Sequence, residues 1–576
     1  MGFRKLSLVS TLLTVLYFAA PGAAHAQLNT AVDPKLDPAE AKDPVPHYIK
    51  AETPEQRKAR LGTPEDPGPD PDPKTIYARY GKPARIMRFD RKMAGYDVEQ
   101  GWVRPLAMVN IAKEIYQQND KYVWVWIPEQ EPQPPVTAEA AAMREKSPAE
   151  IDYFNQLRSE FQPLSVPEGN KTVTFVESSD GLPTTGSWRN SLAVADMNGD
   201  GFPDIIAPPQ RGAGGSLPSI FLGDGKGHWK FWDTVSWPAG LQYGGVIAAD
   251  FNKDGHMDLG FAVHLFGVQV FLGDGKGNFT DSSDGLPSDF PTRRIVAADI
   301  NGDGYPDIVA INEGPSTQKA DREPYGKIRV YYNNKKGTKW TGVNVAQPGL
   351  AVAGDWLAVG NFNGDRIPDF LGASVYFNGV QNLYLSDGPN RWKPTGAGTL
   401  IKGASYHFAV AAGKFSSKKL DDAIVSYART WPVDLDARLV PDPPLKAVVG
   451  IDRLSFTGKT PQRTPIVRWS SNSGIWAMAV GDIDGDGNND IIYRGADNVP
   501  HLLLGDGKGG FTTAKVEGIK LDANTTYDFK LADVDGDGKP DLILMYESAG
   551  NTAFGVKDGS IHVYLNRGGT PSAKSR

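Results

Sequence analysis

The sequence predicts an all-β chain whose greater part is a seven-bladed β-propeller of four-stranded blades, preceded by a small α+β N-terminal region. Three observations predict it. An acidic loop recurs seven times, a glycine hairpin follows most of its copies, and a spare strand precedes the first copy where the last repeat lacks one. The first two define a repeat of about fifty residues, and the third closes it into a ring.

Taken in order, the 576 residues begin as an export signal would. Arg4 and Lys5 precede an apolar run from Leu6 to Ala20, and Ala24-His25-Ala26 fits a small-x-small cleavage site. Cleavage is expected after Ala26, with the mature chain secreted, periplasmic or on the cell surface. No later stretch is apolar over the roughly 20 residues a membrane helix needs. Residues 27–75 are rich in proline and charge, end in "PEDPGPDPDP", and read as a disordered linker. Residues 76–165 read as a small α+β region. Its aromatic, β-branched "YVWVWIPE" (122–129) predicts a strand, and Ser147-Pro148-Ala149-Glu150 a capped helix start before "IDYFNQLRSEF". The propeller is expected over 171–570, with 571–576 as a tail. There is no cysteine, so an exported chain of this size needs some tie other than disulfides. The net charge of −7 and the lack of a basic stretch give no sign of a nucleic-acid partner.

The acidic loops start at Asp196, Asp250, Asp299, Asn361, Lys414, Asp482 and Asp533, with spacings of 54, 49, 62, 53, 68 and 51. "FLGDGKGHW" (221–229), "FLGDGKGNF" (271–279) and "LLGDGKGGF" (503–511) follow three of them, and weaker versions follow others. An apolar run, an Asp-Gly turn and an aromatic make a hairpin, so each repeat reads as strand, acidic loop, strand, connector, strand, hairpin, strand. The last repeat runs out after "IHVYLNRGG", and "KTVTFVESSDGLP" (171–183) resembles the fourth strand of the second repeat, "NFTDSSDGLP". The start of the region is therefore expected to complete its end.

Side-chain oxygens at loop positions 1, 3, 5 and 9, with a carbonyl at 7, suit a hard cation, and glycine at 6 permits the sharp turn. In the first loop these are Asp196, Asn198, Asp200, the Phe202 carbonyl and Asp204. The second supplies Asp250, Asn252, Asp254, His256 and Asp258, and the third Asp299, Asn301, Asp303, Tyr305 and Asp307. The sixth offers Asp482, Asp484, Asp486, Asn488 and Asp490, and the seventh Asp533, Asp535, Asp537, Lys539 and Asp541. An EF-hand would need an acid at position 12, where Ala207, Phe261, Ala310, Tyr493 and Leu544 stand. About five calcium ions are expected, with structural rather than catalytic roles. The fourth loop, with Asn361 at position 1 and Arg366 at 6, is expected to bind weakly or not at all. The fifth carries Lys414 and Lys418 where acids belong and is expected to be empty, an ammonium standing in for the ion.

These repeats resemble the FG-GAP or VCBS repeats of the integrin α-subunit head and of many exported bacterial proteins. The resemblance covers about 171–570. It implies a seven-bladed propeller with calcium on one face, between the two inner strands of a blade.

If each first strand runs toward the acidic loops, the residues five to eight before each loop ring the channel mouth on the opposite face. There stand Trp188, Arg189, Tyr243, Arg293, Arg294 and Asp355, then Trp356, Tyr406, His407, Trp476, Tyr527 and Asp528. Two long connectors, 312–326 and 429–446, accompany them. Aromatics and charges on a rigid ring suit a polysaccharide or protein ligand, although the same residues would also serve to pack and cap the blades. A binding or adhesion module without chemistry of its own is the favoured reading. A polysaccharide lyase or hydrolase is the alternative, with His407, Tyr406, His264, Tyr527 or the Arg293-Arg294 pair as candidates that no spacing ties together. A third is an envelope scaffold docked through 76–165. No nucleophile elbow, zinc motif or phosphate loop is present in the sequence.

Overall fold

The computed structural model describes the backbone of residues 83–90, 114–118 and 122–128 and, with short gaps, residues 155–571. The expected signal segment and linker lie outside the described residues, as do most of both long connectors. The chain divides into two compact units, Met1–Ser147 and Pro148–Arg576. In the first, the strands Pro83–Asp90, Glu114–Gln118 and Tyr122–Pro128 form an antiparallel sheet with the aromatic strand in the middle.

The helical turn expected after Ser147 belongs to the second unit. Residues 157–159 are helical, and Leu157 and Phe161 are buried with Trp431 and Val448. Phe161 meets Trp431 edge-on at 5.0 Å, and Glu160 grips the Arg463 guanidinium with both oxygens, at 2.6 and 2.7 Å. This turn buries its apolar side against the fifth repeat.

The second unit is built of repeated four-stranded antiparallel sheets, arranged as in a β-propeller. The first sheet runs Ala193–Ala195, Asp204–Ala207, Ser219–Gly223, Trp229–Phe231, in chain order from one edge to the other. Four more follow the same order, the fifth with the longest strands, Asp422–Thr430, Ala447–Thr457 and Thr460–Trp469. The remaining strands form one eight-stranded sheet. Half of it is Met478–Gly481, Asp490–Arg494, Pro500–Gly505, Phe511–Glu517. The other half is Phe529–Ala532, Asp541–Met545, Ile561–Pro571 and, as its fourth strand, Glu168–Glu177. That last strand pairs antiparallel with Ile561–Pro571 and parallel with Phe511–Glu517, so the early strand does complete the last repeat. A sheet edge that would otherwise offer free N–H and C=O groups is covered.

Second strands of the sheets are buried along their length because both their faces meet a neighbouring sheet. Side chains alternate between faces. Ile205 and Ala207 accordingly join an apolar cluster with the seventh repeat, including Val534, Ile543 and Leu565, while Ile206 joins one with the second, including Val246, Leu259 and Phe271. Ile308 and Ala310 face the second repeat, and Val309 and Ile311 the fourth. Each successive pair of sheets encloses such a cluster, and the last sheet shares one with the first. Consecutive first strands lie side by side, which sets them innermost.

Candidate metal centres

Six of the seven acidic loops fold on one hydrogen-bond plan. Position 9 is buried in all of them. Its Oδ2 accepts the N–H of position 2 at 2.7–3.0 Å, as from Met197 to Asp204 and from Val534 to Asp541. Its Oδ1 accepts an N–H from the third strand at 2.7–2.9 Å, as from Gly223 and Asn566. Position 9 thus ties the acidic loop to the hairpin strand whether or not it also meets an ion. Position 3 accepts the N–H of position 5, and position 5 accepts that of position 7. In the five complete loops position 1 accepts the N–H of the glycine at 6, at 2.8–3.0 Å.

Two features of the loop went unread in the sequence. Position 2 is always apolar and buried: Met197, Phe251, Ile300, Phe362, Phe415, Ile483 and Val534, each at most 3 % exposed. It anchors the loop in the contact between sheets, and its invariable apolarity was the available signal. Position 4 shares the left-handed conformation expected only at position 6, as at Gly199 (φ 75°) and Gly302 (φ 73°). Lys253 takes it in the second loop (φ 58°) with its ammonium 4.7 Å from the Tyr305 ring centre.

The fourth loop keeps the plan, and Arg366 occupies position 6 at φ 71°. A side chain there costs about 1–2 kcal/mol relative to the right-handed conformation. Arg366→Gly is therefore expected to stabilise the protein by up to about 1 kcal/mol after the extra freedom of glycine in the unfolded chain is counted, as measured by denaturant unfolding. The fifth loop departs further. Ser416 donates from both N–H and hydroxyl to Asp422, at 2.7 and 2.9 Å. The Lys418 ammonium reaches across to the sixth loop, donating to the Gly487 carbonyl and Asn488 Oδ1, both at 2.9 Å. It serves the neighbouring loop, where an ammonium filling its own was expected.

The donor set fits a hard divalent cation. Carboxylate oxygens of Asp482, Asp484 and Asp486 lie within 4.8 Å of one another, as do those of Asp533, Asp535 and Asp541. Asp482 Oδ1 is buried with no hydrogen-bond partner among the described residues. Metal-free, the position-9 carboxyls hold protons tightly. Burial pushes Asp204, Asp258 and Asp490 up to about 7, and Asp307, Asp369 and Asp541 up to about 6, against their backbone donors, from the ordinary 3.8. A pKa raised on folding gives stability that is fully present below the unfolded value and lost as the pH climbs through the folded one. The metal-free protein is therefore expected to melt at progressively lower temperature as the pH rises from about 4 to about 7. Saturating divalent cation is expected to flatten that dependence, because it favours the ionised form. Thermal melts across pH, with and without cation, check this.

On the opposite face, five of the twelve residues expected to ring the channel mouth are buried. Trp188, Arg189, Tyr243, Arg293 and Trp356 are each at most 7 % exposed. Trp188 and Trp356 pack in clusters between sheets, because side chains this close to the strand ends fall inside the sheet contacts. Glu547 of the seventh repeat meets Arg189 at 3.4 Å and Arg211 of the first at 2.6 Å, a link across the closure that the sequence did not disclose. Arg293 Nε donates to His264 Nδ1 at 3.1 Å, and the Tyr243 ring lies 4.5 Å from that imidazole. Arg294 pairs with Asp528 at 3.1 Å, both half-buried, and half-buried Trp476 meets Trp356 at a tilt and Phe408 edge-on. Tyr406 and His407 belong to the strand Tyr406–Gly413, and Asp355 and Tyr527 lie outside the described residues.

Family models agree with the repeat. One for FG-GAP-like repeats matches residues 212–261, 267–310 and 482–544, and one for the FG-GAP repeat matches 292–331. The first loop, 196–204, lies outside these spans yet shares their hydrogen-bond plan. No curated protein matches the chain. Among solved structures it is similar to the BP39L lectin from Burkholderia pseudomallei, at 14 % identity over 67 % of this chain and 98 % of the lectin. The TM-score of 0.42 is too low to transfer a property. Among the described residues, no helix is long and apolar enough to cross a membrane.

Proposed function

The chain belongs to the FG-GAP repeat proteins, and on that premise we propose an exported, calcium-binding, seven-bladed propeller that binds a glycan or protein on the face opposite its acidic loops. Two observations support the calcium reading: the common hydrogen-bond plan of the five complete loops and the close carboxylate groups of the sixth and seventh. The ions have structural roles, since the loop's own donors fill most of the coordination. Their binding ties each blade's two inner strands, a task that disulfides do in other exported proteins.

Ligand binding falls to what the opposite face leaves accessible: the Arg294–Asp528 pair and Trp476. Carbohydrate-active catalysis is the second reading, supported by the approach of His264, Arg293 and Tyr243. Tyr243 and Arg293 are buried, which favours binding over chemistry. One experiment separates the readings. Purified protein is screened against acidic polysaccharides for retention and for new absorbance at about 235 nm, where the unsaturated products of a lyase, formed by proton abstraction beside the uronate carboxyl, absorb. Retention without absorbance supports a binding module. Absorbance supports a lyase, and neither with any glycan leaves the protein ligand.

A further inference from the structure

We infer that Lys171 and Arg567 are charge-compensating residues of the sixth and seventh metal loops, each cancelling the one carboxylate by which these loops exceed the other three. This rests on the calcium reading above. Position 3 is asparagine in the first three loops, as Asn198, Asn252 and Asn301, but aspartate in the sixth and seventh, as Asp484 and Asp535. The former loops therefore offer carboxylates at positions 1, 5 and 9, and the latter a fourth. A divalent ion leaves the three-carboxylate loops one negative charge in excess and the others two. Excess charge held out of water is costly unless it is paired.

Both extra carboxylates are paired, by cations from outside their loops. The Lys171 ammonium lies 2.5 Å from Asp484 Oδ2, and that aspartate side chain is 1 % exposed. The Arg567 guanidinium lies 2.6 Å from Asp535 Oδ2 and 3.5 Å from Asp537 Oδ2. Where position 3 is asparagine, its own amide donates instead to the position-5 carboxylate, at 2.8, 2.9 and 3.2 Å in the three loops. Other cations near the loops are of a different kind. Lys335 comes only within 3.6 Å of Asp303 and is 56 % exposed, a surface contact of small worth. Lys539 bonds Asp537 within its own loop at 2.9 Å.

The two compensating cations sit on the paired strands Glu168–Glu177 and Ile561–Pro571. The strands that close the last sheet thus carry the charges that balance the two richest loops. A cation so placed has two opposed effects. It holds the metal-free loop together by pairing a buried carboxylate, and it repels the incoming ion, so it lowers affinity while supporting the fold.

The test uses the full chain, calcium chloride as the probe, calorimetric titration, and thermal melts in chelator. Lys171→Met is expected to raise the affinity of one site on the order of tenfold, from removal of a like charge a few ångströms away, and to lower the metal-free melting temperature. Asp484→Asn is expected to weaken the same site. The double variant reproduces the asparagine pattern of the first three loops and returns both readings close to wild type. Arg567→Met repeats the first result at another site, and Lys335→Met changes neither reading. An unchanged affinity and unchanged metal-free melting in Lys171→Met would overturn the inference, as would a double variant whose metal-free melting stays as low as that of Lys171→Met. If the wild type takes up no calcium, the calcium reading falls. The metal-free melts of Lys171→Met and the double variant then still decide whether Lys171 compensates Asp484.

Discussion

On the proposed calcium reading, stripping the ion from the folded protein is expected to lower its melting temperature by on the order of 10 °C or more, and the loss is expected to be reversed by calcium but not by magnesium at equal concentration. Each site held at about 100 times its dissociation constant adds about 2.7 kcal/mol, and five independent sites add about 13. Magnesium demands a small, near-octahedral cage and keeps its waters, which a loop of five widely spaced donors does not replace. The apolar clusters between the sheets need no ion, so the expected effect is a loss of stability in which the fold is retained at low temperature. Calorimetric melts over a calcium series check it, since melting must then rise with the logarithm of free calcium.

Phe175→Ala costs about 3–5 kcal/mol, the usual range for a large aromatic removed from a packed core. Phe175 is 1 % exposed in the cluster with Phe529, Leu544 and Tyr564, and its strand is the fourth of the last sheet. Removal of residues 168–177 altogether is expected to abolish folding of the second unit and drive aggregation, since it bares the strands Phe511–Glu517 and Ile561–Pro571 at once. Phe231→Ala serves as the reference: that side chain is 51 % exposed, and its loss is expected to change stability by at most about 0.5 kcal/mol. Denaturant unfolding of both variants in calcium gives the comparison.

The acidic loops were legible because each position has one physical job that few residues can do. Glycine at 6 and acids at 1, 5 and 9 recur in the five complete loops because a left-handed turn and oxygen donors are needed there. The closing strand was legible too, from "KTVTFVESSDGLP" and its likeness to a fourth strand. The buried partners of these features were not. That Asp204 is tied to Gly223, or Asn566 Nδ2 to the Ile483 carbonyl of the preceding repeat at 2.8 Å, depends on which strands lie adjacent across many residues. The opposite face was read too generously for the same reason. Trp188, Arg189 and Trp356 have the residue types of a binding surface, and only the packing of neighbouring sheets reveals that they are covered. Fold-level pairing at Glu547 likewise joins residues more than 330 positions apart, as in its bond to Arg211.

The ring itself can be tested with a single cross-link in this cysteine-free chain. Val176 and Leu565 stand opposite each other on the strands Glu168–Glu177 and Ile561–Pro571. With Val176→Cys and Leu565→Cys together, mild oxidation of the dilute monomer should give near-complete intramolecular disulfide, seen as a mobility shift on a non-reducing gel and confirmed by the linked peptide in mass spectrometry. Free thiols throughout, or disulfides only between chains, would mean that these strands do not meet and that the propeller is not closed in this way.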